Sequence, residues 1–352
     1  MSASDPIISG IFKPNATLNS TRYNLDIDNY ESLIEAISRT WRMLKSQSNL
    51  EPSPPESFIN CIRDRIIPVL EGYEEEEHSK RDVLLDITAM HLARGKFDDE
   101  TVLALRLGIY IWCMCKIDIP FWNQHFPLES HIAWTNPESR IRDQITLLSR
   151  PTESNPRNIR LDSSFRLYDL AKIANFGVEW VDDIFQHLSF CEPNIMSDKP
   201  QMKIQIFHHR RFLKFHYDRQ SKVFPEGFIE ETLQTLDLLL PYHHTKTRKW
   251  FQNEVKHYGI DDTACVRKRM MNANSRHLER FKFWGERLAF LKETYDLTEP
   301  DSVSRFWLDT RSPIQWATFW VAVLVLVLTI FFGLVQSIEG ALQVYKAYHP
   351  SS

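Results

Sequence analysis

The sequence predicts a mainly α-helical protein: a helical cytosolic region holding one small α+β unit with two short strands, and one C-terminal transmembrane helix. Three observations predict it. Trp316–Val335, WATFWVAVLVLVLTIFFGLV, runs for twenty positions without a charge. At roughly 1.5 Å per residue such a helix covers about 30 Å, the thickness of a bilayer's hydrocarbon. Elsewhere apolar residues recur in steps of three and four, and ten glycines in 352 residues are few for a strand-dense fold. Gly177–Trp180 and Lys203–Phe207 read as extended runs between short helices.

In chain order, residues 1–22 are polar and form a mobile arm. A helical domain follows over 23–148. Its first helix starts near Asp28, which caps it together with Glu31, and Tyr30, Leu33, Ile37, Trp41 and Leu44 make one apolar face. Pro52, Pro54 and Pro55 break the chain over Gln47–Ser57. Helices are expected at Phe58–Leu70, at Val83–Ala93 and at Leu103–Lys116, the last capped by Asp98 or Asp99. LGIYIWCMC makes that last helix apolar all round, but only nine residues separate Arg106 from Lys116, so it is a core helix rather than a span. Residues 149–160 are a polar linker.

A second helical domain, 161–300, carries the α+β unit. Phe165–Ala174 and Asp183–Leu188 read as helical around the first strand, and the second strand leads into a basic helix through His216. Gly227–Leu240 is amphipathic and stopped by Pro241; Trp250–Tyr258 is shorter. One long helix is expected from Val266 to Asp296, with Phe281, Trp284, Leu288, Leu291 and Tyr295 on its buried side. Residues 301–313 connect to the spanning helix, 314–338, and 339–352 form a short tail.

The sequence offers little chemistry. It lacks G-x-S-x-G, H-E-x-x-H, G-x-x-x-x-G-K and G-x-G-x-x-G, so no cofactor, metal ion or catalytic residue is assigned. Glu74–Glu77 beside His78 are adjacent residues that diverge on a helix, and read as a solvated face. Cys113 and Cys115 supply two thiolates where structural zinc needs four ligands; His125 and His131 downstream keep zinc as a minor alternative to buried thiols. The five scattered cysteines suit reduced thiols in the cytosol. His208, His209 and His216 invite a catalytic or metal reading, yet polar packing is commoner for such residues; an apolar pocket ringed by them would favour an enzyme and a filled core would not. His243-His244 after Pro241 reads as a turn.

Two strands around short helices suggest a winged-helix-like unit in which Lys203, Arg210, Arg211, Lys214 and Arg219 form a basic contact face. A net charge of −4 and the nearby Glu179, Asp182 and Asp183 argue against nucleic acid. Anionic lipid or an acidic protein partner fits such a face at least as well.

The anchor has its own pattern. Trp307, Trp316 and Trp320 at one end and Tyr345 and Tyr348 at the other can sit at the two interfaces. Thr318, Ala322, Thr329, Gly333, Ser337 and Ala341 form a stripe of small residues through which two helices could approach, so a homo-oligomer is expected. The N-terminus lacks a signal peptide's basic and apolar regions, and Arg305 and Arg311 precede the span while only Lys346 follows it. These features give a tail-anchored, single-pass topology with the bulk in the cytosol; the slightly basic tail favours the endoplasmic reticulum over the mitochondrial outer membrane. The sequons at Asn15 and Asn19 then stay unmodified.

The run DTRSPIQWATFWVAVLVLVLTIFFGLVQSIEGALQVYKAY resembles the ending of an uncharacterised family of filamentous-fungal membrane proteins, and FGVEWVDDIFQHL, IQIFHHRRFLKFH and FPEGFIEETLQTLDLLLP also look like that family. The resemblance covers most of the second half and is much weaker over residues 1–150. It implies a single C-terminal span and carries no activity or site residues. The expected function is a membrane-anchored interaction or scaffold protein with membrane lipid and an unidentified protein as partners. The alternatives are a membrane-tethered enzyme and, less well matched, a transporter subunit like the CorA-type magnesium channels. Those have two spans and a Gly-Met-Asn loop, whereas Gln-Ser-Ile-Glu-Gly follows Val335 here.

Overall fold

The computed structural model describes residues 31–46, 99–118, 132–133, 141–151, 159–191, 201–266, 273–298 and 313–348. The expected arm, the cap at Asp28, the proline linker, the helices at 58–70 and 83–93, the Glu74–Glu77 run, His125, His131 and the juxtamembrane Trp307 lie outside them. Helices dominate, with a small three-stranded sheet and one long apolar helix at the C-terminal end.

Helix α1 (Glu31–Ser46) buries Leu33, Ala36, Ile37, Thr40 and Trp41, one stripe at helical spacing. It packs on α2 (Asp99–Cys113), whose residues from Leu107 to Cys113 are all buried, as an apolar sequence with no polar side requires. Met114 ends α2 with φ 47°, and its N–H donates to the Tyr110 carbonyl at 2.8 Å. Glycine or asparagine usually takes that left-handed position, because a Cβ there crowds the following carbonyl. Strands β1 (Ile117–Asp118) and β2 (Ile132–Ala133) form a parallel pair that the sequence pattern did not reveal. Helix α3 (Ile141–Leu148) follows, and then α4 (Leu167–Lys172).

The two expected strands are present as β3 (Gly177–Val181) and β5 (Lys203–Phe207). They run parallel and side by side, and β4 (Phe190–Cys191) lies antiparallel on the other edge of β5. A winged helix closes its sheet with an antiparallel hairpin, so a parallel pair in the order β3-β5-β4 is a different arrangement. Gly177 lets these strands meet: a Cβ there would lie 2.8 Å from Cγ of Lys203. Helix α5 (Arg210–Asp218) leaves β5 and packs on α6 (Phe228–Leu239); α7 (Thr245–Tyr258) stops at Gly259, where φ is +65°.

The long helix expected from Val266 is not formed. Short 3₁₀ turns occupy Ala273–Arg276 and Leu278–Arg280, and α8 spans Gly285–Leu297 only. Its competitor is Glu231 of α6, whose buried carboxylate accepts the N–H groups of Lys282, Phe283 and Trp284 at 2.8, 2.8 and 2.7 Å. Those donors would otherwise bond carbonyls four residues back. Phe281, Trp284, Leu288, Leu291 and Tyr295 are all buried as the spacing required, although only the last three share one helix. Side chains from α1, α2, the sheet and α4–α8 join one apolar core.

Helix α9 (Pro313–Tyr348) differs from all of these. It has 36 residues, about 54 Å at roughly 1.5 Å per residue, and continues ten residues past the expected end of the span at 338. Its stretch Ala317–Tyr345 has mean hydropathy 2.7 and is 0% buried. By length and composition it is able to cross a membrane.

Replacing Glu231 with Ala strands three backbone donors in the interior and is expected to cost about 3 kcal/mol or more, while Glu231→Gln, which keeps an acceptor oxygen, costs less. Urea unfolding of the full chain in detergent reads both; equal losses would show that the carboxylate's volume, not its bonds, matters.

Candidate functional site

Parallel strands in register bring their carboxyl ends together, and ligand sites in α/β units form there. Val181 of β3 pairs with Phe207 of β5, so the next residues, Asp182 and His208-His209, stand side by side. Oδ1 of Asp182 lies 2.8 Å from Nε2 of His209 and 3.4 Å from Nε2 of His208. Its Oδ2 meets Nη1 of Arg39 from α1 at 3.3 Å. The imidazole rings lie against one another with centroids 4.0 Å apart, and Trp180 meets the outer ring edge-on. Burial pushes the Asp182 carboxyl up, but the bonds from His208 and His209 outweigh it and leave it well below the ordinary carboxylate range. Burial, and then His209, hold His208 down at about 4.

Two imidazoles and a carboxylate with ligand atoms within 4.8 Å of one another have the composition of a metal site. The hydrogen bonds decide against it. The Asp261 N–H donates to Nδ1 of His208 at 3.1 Å, so that nitrogen is the acceptor and Nε2 carries the ring's proton. A protonated Nε2 has no lone pair for an ion, and His209 with Asp182 alone supplies two ligands, fewer than a catalytic zinc site uses. The arrangement acts as a hydrogen-bonded hub: α1, β3, β5 and the Asp261 loop all attach to it. Nδ1 of His209, inside the protein, has no hydrogen-bond partner among the described residues.

His216 does not join this hub. Its ring lies among Trp112, Phe212, Phe215 and Phe224, with centroids 5.6, 4.5, 5.4 and 5.5 Å away, and burial lowers it to about 3. Where an apolar pocket would have favoured an enzyme, aromatic side chains surround the imidazole. A further buried histidine, His187, went unnoticed in the sequence. Its Nδ1 accepts the Phe207 N–H at 3.2 Å, its Nε2 meets Oγ1 of Thr235 at 2.7 Å, and burial followed by the Arg287 charge lowers it to about 3. A histidine beside leucine in QHLSF gives no warning of a partner 48 residues away. For Asp182 there was a signal: two five-residue extended runs, one followed by Asp-Asp and the other by His-His.

The predicted basic residues do not share one face. Lys203 is exposed at the start of β5, Arg210 turns inward to Asp237 at 2.7 Å, and Arg211 bridges Asp261 and Asp262 at 3.2 and 2.9 Å. Lys214 pairs with Asp218 at 2.8 Å, and the Arg219 guanidinium lies 4.3 Å over the Phe215 ring. On α9, Thr318, Ala322, Thr329, Gly333, Ser337 and Ala341 are all exposed, and nothing lies within 4 Å of a Cβ built on Gly333. Tyr345 and Tyr348 are exposed and Trp320 half-buried; Trp316 belongs to the helix, its side chain outside the described set. Cys113, Cys115, Cys191 and Cys265 are free thiols. Comparisons with protein-family models, with curated proteins and with solved structures find no match to this chain.

The buried histidines set a pH dependence. His187, His208 and His216 have values depressed from 6.5 to about 3, 4 and 3. Below pH 6.5 the unfolded chain takes up protons that the folded one refuses, so their contribution is complete above that pH and shrinks as pH falls toward 4. Each histidine costs about 1.4 kcal/mol per pH unit in that window. The urea midpoint is therefore expected to drop steeply between about pH 6.5 and pH 4. A flat profile across it would mean that these rings reach solvent.

Proposed function

We propose that this protein is a membrane-anchored interaction module: a helical body held in the cytosol by α9, which crosses the bilayer and places the residues after it on the far side. The observation that carries this reading is the contrast between α9 and the rest of the chain. Most leucines and phenylalanines of the body enter the core, with Leu147, Leu148, Phe290 and Leu297 as scattered exceptions, whereas Val321, Leu324, Leu328, Phe331, Phe332 and Leu334 of α9 lie close together and are each 45% exposed or more. An apolar stretch of 29 residues that, among the described residues, has no protein cover fits lipid as its surroundings. The body supports binding over catalysis, because the polar groups of its hub are engaged mainly with one another.

The test uses isolated membranes from cells expressing the full chain with an N-terminal epitope and a glycosylation acceptor after Ser352. The protein is expected to resist alkaline extraction, lose its epitope to added protease and carry glycan on its tail, as an endoplasmic-reticulum anchor would. Release by alkali would remove the membrane reading; a protected epitope with glycan on Asn15 or Asn19 would invert the topology.

Self-association through the face of Thr318, Ala322, Thr329, Gly333, Ser337 and Ala341 belongs to the same reading. Among the described residues nothing covers that face, and small residues permit close approach of a second helix where lipid provides no hydrophobic drive. Gly333→Leu is expected to abolish the dimer signal in a membrane two-hybrid assay. An unchanged signal would assign any dimer to another surface.

A further inference from the structure

Helix α7 breaks a simple electrostatic rule. Its first five residues, Thr245–Lys249, contain Lys246, Arg248 and Lys249 and no acid. A helix N-terminus carries about half a positive charge, so acids are the stabilising choice there and cations are not. More positive charge converges on this end from two other segments. Arg166, before α4, places Nη1 3.3 Å from Nε2 of His244, the residue capping α7. Arg276 arrives in a 3₁₀ turn that is stitched to the same stretch: its carbonyl accepts the Leu161 N–H at 2.9 Å, and an antiparallel bridge joins Arg160 to His277.

Arg276 is the telling group. It is 8% exposed, and among the described residues its guanidinium makes a single hydrogen bond, from Nη1 to the carbonyl of Asp162. Among the described residues no carboxylate pairs with it. The two acids nearby serve other cations: Asp162 faces Nζ of Lys292 at 3.3 Å, and Asp169 holds Nη1 of Arg166 at 3.1 Å, which leaves Arg276, of these two guanidiniums, as the one without a paired carboxylate. Nε of Arg166 is also buried, without a hydrogen-bond partner among the described residues. A buried guanidinium without a counter-charge is costly, and more so with a second arginine beside it. Burial, then Arg166 and Arg160 against Asp162, hold the Arg276 guanidinium below its ordinary value. Around this floor, Arg160, His243 and Lys246 are exposed to solvent.

We propose that this cluster is an anion site for a phosphate-bearing ligand, with Arg276 and Arg166 as its floor, His243 and Lys246 at its rim and the amino end of α7 facing the same charge. A guanidinium fork and helix N–H groups suit tetrahedral oxyanions, and several converging cations suit a dianionic monoester better than a single carboxylate. The phosphate could belong to a lipid headgroup or to a soluble molecule; the chemistry of recognition is shared. The site goes beyond the anchoring role and stands whether or not α9 enters a bilayer.

The experiment measures thermal unfolding of the full chain, once in detergent and once in lipid nanodiscs with or without a phosphoinositide monoester. Sodium phosphate is compared with sodium chloride at equal ionic strength. Phosphate is expected to raise the midpoint in detergent. The surface variant His243→Ala/Lys246→Ala should need about tenfold more phosphate for the same shift, and Arg276→Gln should lose the response. Lys214→Ala, whose lysine pairs with Asp218 on α5, should respond as the natural chain does. If phosphoinositide discs are stabilised already and added phosphate does nothing more, the lipid headgroup is the source; if only added phosphate stabilises, the ligand is soluble. Equal midpoints in phosphate and chloride, or an unaltered response in the folded surface variant, would overturn the assignment.

Discussion

Asp183 accepts the backbone N–H of Lys116, 67 residues earlier in the chain, at 3.0 Å and that of Phe185 at 2.9 Å. Asp261 accepts those of Arg211 and Thr263, and Glu231 those of Lys282, Phe283 and Trp284. All three carboxylates are buried. Among the described residues, several segments between short helices are neither helix nor strand, so their N–H groups lack the partners that regular structure supplies. A carboxylate inside the protein can satisfy two or three such donors at once, and removing it leaves them all unmet. These three side chains therefore determine which distant segments lie together: α2 with the end of β3, β5 and α5 with the loop after α7, and α6 with the entry to α8.

The histidine hub inherits its chemistry from that framework. Asp261 is fixed by its own acceptor role, and its N–H then faces Nδ1 of His208 and selects the tautomer. The proton is forced onto Nε2, toward Asp182, and Asp182 becomes an acceptor for two rings and for Arg39. A set of side chains with the composition of a metal triad is thus converted into a structural junction by one backbone donor. Composition and distance alone did not separate the two outcomes; the direction of a single hydrogen bond did.

The same contrast explains what was legible in the sequence. The end of α7, the strands β3 and β5 and the apolar α9 follow from residues close in the chain, such as Gly259, the extended runs themselves and twenty uncharged positions. What the pattern missed depends on distant partners. Phe281 and Trp284 fit a helical period, but Glu231, about fifty residues earlier, takes the N–H groups that a helix would use. Strand β4 has only two residues, too few for alternation to register. His208, His209 and His216 look like a group in sequence, yet α5 begins between the first two and the third, and turns His216 into the aromatic core. The five basic residues looked like a face for a similar reason: position was visible, but Asp237, Asp261 and Asp262 as their partners were not.

Those pairings sharpen the significance of the cations that lack them. Arg210 is as buried as Arg276, 7% exposed against 8%, and it meets Asp237 at 2.7 Å. The protein therefore supplies a carboxylate to one buried guanidinium and none, among the described residues, to the other. Around Arg276 the local preferences conflict as well: lysines and an arginine occupy the turn of α7 where the helix field favours acids. Conflicts between local preference and global fold concentrate at functional positions, because a bound partner can resolve them where packing does not. An anion resolves both at once, by meeting the unpaired guanidinium and reversing the sign of charge at the helix end.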